Sequence, residues 1–441
     1  MRWNIVQIFE ELKAGLRKAA HLGEKVESLS VDSWGLDYVL LGASQPMLSL
    51  PYHYRDARTD ATYAAAMKSP GAEFIFAESG IQFMPVNTLY QLAAERQNSP
   101  ALLEVADQFL TIADYFHYLF SGVAAVEESL ASTTQLFHPV EKTWSRKLMK
   151  AFSLPEKIFP RLVPPATKLG SLLPEIASET RSAPLDVIAG CSHDTAAAVA
   201  ATPGAGEDWA YLSSGTWSLL GVELDAPLLS DAAREHNFTN EAGIGGKTRF
   251  LKNIAGLWIL QECRRSWKKD GQEIDYAALG REAEAAEPFR SLINPAAPQF
   301  LKPDAMPEKV ADFCCESGQP IPETVGQFTR CIFESLALSY AKTLDELEIV
   351  TDKSITRLHI IGGGSQSRLL NQFAANASGR AVIAGPVEAT AMGNLLVQAV
   401  ALGHLGSLAE LRDVVRASVE IQQFEPAGGW ENARARFGEI C

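Results

Sequence analysis

The first stretch of the chain spaces its apolar residues as an amphipathic helix does. In RWNIVQIFEELKAGLRKAA, the large apolar side chains from Ile5 to Leu16 recur every three or four residues, which predicts a helix with one buried face. The next segment, VESLSVDSWGLDYVLLG, is β-branched and alternates in polarity. It predicts two short strands interrupted at Trp34-Gly35. Residues from 60 to about 180 read as mostly helical, with proline-rich turns.

The second half of the chain has the pattern of an α/β domain. LDVIAG predicts a short buried strand ahead of CSHDTAAAVA, and the Pro, Gly and acidic residues of ATPGAGEDWA mark a linker. A hairpin in WAYLSSGTWSLLGVEL, a long helix and two strand–turn–helix repeats follow, and such repeats favour parallel strand pairing. We therefore expect two domains, residues 1–203 and residues 204–441.

Composition narrows the classes of function. The chain has 441 residues and a net charge of −14, which argues against nucleic acid as a partner because a basic face supplies most of that affinity. No apolar run approaches the roughly twenty residues of a membrane span, so we expect a cytoplasmic protein without a membrane partner. The six cysteines form no CxxC pair. Cys314 and Cys331 could bridge, but reduced thiols are the expectation in the cytoplasm.

Four reactive side chains stand together in CSHDT. Adjacent strand residues point to opposite faces, so Ser192, His193 and Asp194 are not expected to form a catalytic triad among themselves. Two interpretations stay open. Asp194 or Thr195 caps the helix TAAAVAA, or Asp194 is a carboxylate at the carboxyl end of a strand, where open α/β sheets bind ligands.

Three turns carry candidate chemistry, each with a purely structural alternative. LSSGTWS is a plain hairpin turn, or a loop whose amides and Thr216 hydroxyl hold a phosphate. IIGGGSQSRLLNQ is a tight turn before a helix capped by Ser365, or a close approach for a ligand; it is not GxGxxG, which disfavours a nicotinamide cofactor. Trp34 after Asp32, together with YRDART, suits either a sugar face or the core.

These segments together resemble the FGGY family of carbohydrate kinases, over essentially the whole chain. The resemblance is carried by VDSWGLDYVLL, YRDARTD, SGIQFMPVNTLYQL, ASTTQL, SHDTAAAV, YLSSGTWSLLG, LKNIAGLWILQ, TRCIFESLALSYA, IIGGGSQSRLLNQ and AGPVEATAMGN. It implies an α/β fold of two actin-like (ribonuclease H-like) domains with a cleft between them, a sugar on the first domain and MgATP on the second. Several segments are typical of the members that phosphorylate L-rhamnulose at its 1-hydroxyl in rhamnose catabolism.

The resemblance also implies roles for individual residues. Asp194 matches the catalytic base that accepts the proton of the sugar hydroxyl, and no metal ligand is assigned. The positions that match sugar contacts are Gly35, His193, Asp194, Thr195 and Asn253. The positions that match nucleotide contacts are Thr216, Gln261 and Gly363.

The front of the chain departs from the family pattern. Family members begin with a strand and hairpin of the form DxGxxSGR that holds the ATP phosphates, whereas RWNIVQIFEELKAGL matches the helix after that hairpin. The expectation is a first-domain sheet truncated at its N-terminus. Two other functions stay open: a sugar-binding FGGY pseudokinase or fragment with impaired catalysis, and a kinase for another ketose.

Overall fold

A computed structural model describes residues 1–22, 25–44 and 46–441 of the chain. The chain folds into two compact units and passes between them several times. The first unit comprises residues 1–201, 223–250 and 390–414, and the second comprises residues 202–222, 251–389 and 415–441. The domain boundary expected after residue 203 stays a prediction.

Nineteen helices and sixteen strands are defined within the described ranges. The helices are α1 Ile5–Ala20, α2 Asp60–Ala66, α3 Ala72–Ser79, α4 Thr88–Asn98, α5 Pro100–Val105, α6 Ile112–Ser121, α7 Glu128–Thr133, α8 Arg146–Ala151, α9 Pro174–Thr180, α10 Asp194–Ala200, α11 Asp231–Glu235, α12 Trp258–Lys269, α13 Tyr276–Ala285, α14 Met306–Glu316, α15 Val325–Thr351, α16 Arg368–Ser378, α17 Ala389–Ala401, α18 Leu408–Ser418 and α19 Glu431–Ile440. The strands are β1 Ser28–Leu29, β2 Tyr38–Gly42, β3 Ala106–Thr111, β4 Val126–Glu127, β5 Phe137–His138, β6 Thr143–Trp144, β7 Leu162–Val163, β8 Thr167–Ser171, β9 Asp186–Ala189, β10 Trp209–Ser214, β11 Trp217–Leu224, β12 Thr239–Ala242, β13 Thr248–Ala255, β14 Arg357–Ile361, β15 Ala381–Ala384 and β16 Gln422–Phe424.

Helix α1 confirms the amphipathic pattern at the start of the chain. The Asn4 side chain accepts a hydrogen bond from the Gln7 amide, which satisfies one of the free donors of the first turn. The apolar face packs on the core of the first unit, where the rings of Phe9 and Phe120 lie 5.2 Å apart. Beside this face, buried Lys13 forms a 2.8 Å ion pair with Glu179 of α9.

The sheet of the first unit has the order β1–β9–β8. The predicted strand β9 is central, parallel to β1 and antiparallel to β8. The interruption at Trp34-Gly35 is confirmed, because it separates β1 from β2, and β2 pairs with β3 instead. The prediction of mostly helix from 60 to 180 missed β3 to β8. Four of those six strands are two residues long, too short to show alternation.

The sheet of the second unit confirms the predicted α/β pattern. It contains the strands β13–β11–β10–β14–β15–β16 in that order. The hairpin β10–β11 is antiparallel, while β10, β14 and β15 run parallel to one another. The 27-residue helix α15 supplies much of the core, including fully buried Leu336 and Tyr340.

Two further observations concern the sequence expectations. Within the described ranges, every helix is too short or too polar to cross a lipid bilayer. The six cysteines are free thiols, and Cys314 and Cys331 are both buried.

Candidate active site

The loop after β1 and the loop after β9 meet in the first unit. The Ser33 amide donates to the Ser192 carbonyl at 2.9 Å, and the Asp194 amide donates to the Ser33 carbonyl at 3.0 Å. These bonds form an isolated parallel bridge between Ser33 and His193. Two segments far apart in sequence, one with Gly35 and one with Asp194, are thereby brought side by side.

Asp194 is the first residue of α10 rather than its cap. The N-cap position belongs to His193, whose side chain makes no capping hydrogen bond to the described residues, so the predicted cap at Asp194 or Thr195 is wrong. The bridge to Ser33 keeps the chain extended through His193, and the helix can begin only after it. One oxygen of Asp194 accepts from the Thr195 amide at 2.5 Å and from its hydroxyl at 3.1 Å, and 43 % of the Asp194 side chain stays exposed.

The imidazole of His193 lies between the Asp194 carboxylate and a buried ion pair. Its Nε2 is 3.4 Å from Oδ1 of Asp194. Its Nδ1 is 3.2 Å from Nη2 of Arg249 and 3.4 Å from Oε2 of Glu241. Because Asp194 has left the strand, His193 and Asp194 lie together as a pair, while Ser192 is fully buried and forms no triad with them.

Sequence reasoning missed Arg249 and Glu241. Nη2 of Arg249 lies 3.0 Å from Oε2 of Glu241, and Nε of Arg249 donates to the Ala242 carbonyl at 3.1 Å. Burial acts to raise the pKa of Glu241, but the charge of Arg249 and the nearness of His193 outweigh it, so the pKa lies below its ordinary value. The available signal was an arginine within the apolar strand TRFLKNIA.

A second buried carboxylate holds the backbone before Asp194. Glu127 accepts from the Ser192 amide at 2.9 Å and from both the amide and the hydroxyl of Ser129. The Ser129 hydroxyl in turn accepts from the His193 amide at 3.0 Å. Burial raises the pKa of Glu127 to about 8. These bonds fix residues 192 and 193, and nothing in the local sequence around Glu127 indicated them.

Two side chains of helix α17 form hydrogen bonds with residues of the same site. Nδ2 of Asn394 donates to Oδ2 of Asp32 at 2.6 Å, and the Thr390 hydroxyl donates to the Asp194 carbonyl at 3.3 Å. Burial raises the pKa of Asp32 to about 6 against the Asn394 hydrogen bond, and the nearby charge of Asp194 adds to the rise. Asp32 is therefore a second carboxyl group beside Asp194.

Trp34, the aromatic candidate in the loop between β1 and β2, packs against other residues of the first unit. Trp34 is half-buried, its ring lies 4.3 Å from that of Trp3, and its Nε1 donates to Asp37 at 2.9 Å. Gly35 is buried, and a Cβ there would lie 2.8 Å from the Thr133 hydroxyl. The turn therefore requires glycine at position 35 for packing.

In the second unit, the turn of the β10–β11 hairpin lies at the start of α12. The Leu257 amide donates to the Gly215 carbonyl at 3.1 Å, and the Trp258 amide donates to the Thr216 carbonyl at 3.0 Å. Gln261 lies in the first turn of α12, and Thr216 is exposed. Two of the three predicted nucleotide contacts are thereby brought together.

The glycine turn after β14 lies against the same hairpin. A Cβ on Gly364 would lie 1.9 Å from the Ser214 hydroxyl oxygen, whereas a Cβ on Gly363 would have no described atom within 4 Å. Residues Gly363–Gln366 form a 3₁₀ turn in which the Ser365 hydroxyl donates to the Gly362 carbonyl at 2.7 Å. The predicted cap at Ser365 is wrong, because this turn delays α16 until Arg368. Gly363 thus presents open backbone surface beside the hairpin.

One predicted sugar contact belongs to a different unit from the others, and no described cluster of side chains could hold a metal ion. Asn253 is half-buried on β13, in the second unit, whereas Gly35, His193, Asp194 and Thr195 belong to the first. Among the described residues, no group of three or more His, Cys, Asp or Glu side chains could hold a metal ion.

Comparisons with known proteins define the class. The model of the FGGY family of carbohydrate kinases, N-terminal domain, matches residues 1–201, and that of its C-terminal domain matches residues 210–402. Similar solved structures include a xylulose kinase of Lactobacillus acidophilus (TM-score 0.81, 13% identity, 100% of this chain and 87% of that one) and the Plasmodium falciparum glycerol kinase with ADP (TM-score 0.78, 14% identity, 100% and 88%). The fold is that of the two-domain, actin-like sugar kinases.

Sequence relatives place the chain more closely. It is 41% identical over 437 residues to a rhamnulokinase of Bacteroides thetaiotaomicron, covering 99% of this chain and 89% of that protein. It is 40% identical over 424 residues to a rhamnulokinase of Bacillus subtilis, covering 96% and 86%. The chain belongs to the FGGY family of carbohydrate kinases. It is a sugar kinase, and membership of that family implies the use of ATP.

Proposed function

We propose that this kinase transfers the γ-phosphoryl group of ATP to the 1-hydroxyl of L-rhamnulose, giving L-rhamnulose 1-phosphate and ADP. The substrate is supported by relatives named rhamnulokinase that are about 40% identical over nearly the whole chain. The chemistry is supported by one observation above all: a solvent-accessible carboxylate, Asp194, at the carboxyl end of a strand, beside a histidine.

Asp194 acts as the general base in this proposal. The oxygen of the sugar hydroxyl attacks the γ-phosphorus, the bond from phosphorus to the bridging oxygen of ADP breaks, and the hydroxyl proton passes to the Asp194 carboxylate. The two hydrogen bonds from Thr195 hold one carboxylate oxygen and leave the other available. A loose transition state asks chiefly for a well-placed base, which suits a carboxylate that solvent can reach.

The sugar is oriented by Gly35, His193 and Thr195 of the first unit, and Asn253 is a further proposed sugar contact. His193 offers a ring nitrogen on the same side as Asp194, which suits a hydrogen bond to a sugar hydroxyl. Thr195 is buried and acts through the carboxylate that it holds. Gly35 gives the loop close backbone approach to the ligand.

The nucleotide lies on the second unit in this proposal. The exposed Thr216 turn offers a hydroxyl and backbone amides to phosphate oxygens, and Gln261 offers an amide side chain one helical turn away. The open surface at Gly363 leaves room for the adenosine. Mg²⁺ would accompany the phosphates and neutralise their charge, and such ions commonly take one or two carboxylates together with phosphate and water oxygens.

A coupled assay of ADP release tests the proposal. With L-rhamnulose and MgATP, the purified chain should turn over at about 1–100 per second, the range of ordinary kinases. Turnover should be much lower with other ketoses. Calorimetry with L-rhamnulose alone separates binding from catalysis: binding without ADP release would identify a pseudokinase, and faster turnover of another ketose would refute the substrate.

A further inference from the structure

We propose that Arg249 is a positioning residue that sets the tautomer of His193. By donating a hydrogen bond to Nδ1, it places the single proton of the neutral imidazole on Nε2, directed toward the Asp194 carboxylate and the sugar. The roles of His193 and Asp194 in catalysis rest on the proposed function. The hydrogen bond and the tautomer do not.

The geometry around Nδ1 selects the donor. Nη2 of Arg249 lies 3.2 Å from this nitrogen with hydrogen-bond geometry, and a guanidinium can donate but never accept. Nδ1 must therefore be the acceptor and carry no proton. Oε2 of Glu241 lies 3.4 Å from the same nitrogen, but within the described chain that oxygen accepts no hydrogen bond of acceptable geometry.

Burial keeps the guanidinium in place. Arg249 is fully buried, and its Nε is tied to the Ala242 carbonyl. Glu241, also buried, neutralises its charge at 3.0 Å. Because neither charged group can swing into solvent, the donor that faces His193 is fixed.

The hydrogen bond at Nδ1 determines that the proton of the neutral ring is on Nε2. With Nδ1 acting as acceptor, the neutral ring carries its proton on Nε2, which lies 3.4 Å from Oδ1 of Asp194. The ring can then donate to this carboxylate or to a sugar oxygen beside it. The opposite tautomer would present a bare nitrogen lone pair to the Asp194 carboxylate, where only repulsion is available.

Nitrogen NMR of protein labelled with ¹⁵N-histidine measures the tautomer directly. The His193→Asn variant assigns the His193 signals, since they alone disappear from the spectrum. In the unsubstituted protein at pH 7.5 we expect a protonated Nε2 and an unprotonated Nδ1, which resonate at well-separated shifts. A protonated Nδ1 in this protein would overturn the inference without any variant being needed.

Two substitutions identify the group responsible. Arg249→Met removes the donor at similar length, and we expect Nδ1 to gain a proton and donate to Glu241. Glu241→Gln leaves the donor in place, and we expect Nε2 to stay protonated. Unchanged His193 signals in Arg249→Met, or a tautomer switch in Glu241→Gln alone, would show that Glu241 rather than Arg249 sets the proton.

The KM values for the ketose and for ATP test whether the tautomer of His193 affects sugar binding. Arg249→Met should raise KM for the ketose by about 10-fold or more, the usual effect of losing a hydrogen bond from a charged group, and leave KM for ATP nearly unchanged. The matched control is Arg412→Met, which breaks a partly buried pair of the first unit, Arg412 with Glu223 at 2.7 Å, and should leave both constants unchanged. Equal effects of the two variants would refute positioning. An inactive unsubstituted protein with the expected spectrum would refute only the proposed function.

Discussion

Replacing Gly393 by alanine tests whether α17 holds the base in position. Gly393 is buried where α17 passes the backbone of α10, the helix that begins at Asp194. A Cβ added at Gly393 would lie 1.8 Å from the carbonyl oxygen of Ala197 and 2.5 Å from its carbonyl carbon. Both atoms belong to the backbone, so no side-chain rotation can relieve the overlap.

The magnitude follows from two opposing terms. Alanine in a helix interior is favoured over glycine by about 1 kcal/mol. Against this, the Ala197 carbonyl must retreat by at least about 1 Å to reach an ordinary contact, and overpacking of this kind costs about 3 kcal/mol or more when backbone has to move. We therefore expect a net loss of at least about 2 kcal/mol in the free energy of unfolding. Movement of α10 would also displace Asp194, and a 1 Å misplacement commonly costs about 100-fold in rate.

The matched control is Gly15→Ala in α1 of the same unit. Gly15 is exposed, and a Cβ there would have no described atom within 4 Å beyond its chain neighbours and the backbone of its own helix. The Gly15→Ala substitution should stabilise the protein by about 0.5–1 kcal/mol. Urea unfolding followed by circular dichroism gives both free-energy changes, and the ADP-release assay gives kcat. If Gly393→Ala were as stable and as active as Gly15→Ala, the close approach of α17 to α10 would be wrong.

Three further changes test the groups of the site. Asp194→Asn should lower kcat by about 10²- to 10⁴-fold while calorimetry shows ketose affinity retained, and near-normal turnover would remove Asp194 from the mechanism. Gly363→Val should weaken ATP binding and spare the ketose, so an equal loss for both ligands in calorimetry would count against adenosine there. The pKa of Asp32 is raised to about 6, so the folded state holds this proton more tightly than the unfolded state, and stability falls between about pH 4 and pH 6, where only the unfolded state has released it. Asp32→Asn should therefore stabilise the protein by up to about 3 kcal/mol at pH 8 and have no effect below about pH 4; a gain that does not depend on pH would contradict this origin.

Much of the architecture was present in local patterns. The face of α1, the hairpin β10–β11 and the parallel pairing of β14 with β15 follow from residue spacing and turn chemistry, and the structure confirms each. The family, too, was readable from short motifs such as SHDTAAAV, and the family-model matches confirm it. Patterns of this kind can be read because helices and strands bury one face through neighbours in sequence.

Local signals also explain the errors. Serine and aspartate are strong helix caps, which favoured Ser365 and Asp194 as caps. At each position, contacts elsewhere moved the start of the helix: a 3₁₀ turn at Gly363–Gln366, and the bridge from Ser33 to His193. Capping preference is worth about 1 kcal/mol, which a few backbone hydrogen bonds in a fixed loop can outweigh.

Only the tertiary structure decided what surrounds the predicted base. Arg249 is 56 residues from His193, Glu127 is 65 residues from Ser192, and Gly393 meets Ala197 across two helices. A sequence shows that an arginine lies in an apolar strand or a glycine in a helix, but it does not show which group each one faces. The partner is set by the path of the chain between distant segments. Burial then gives each contact its strength, because charge and overlap cannot be relieved by solvent inside the protein.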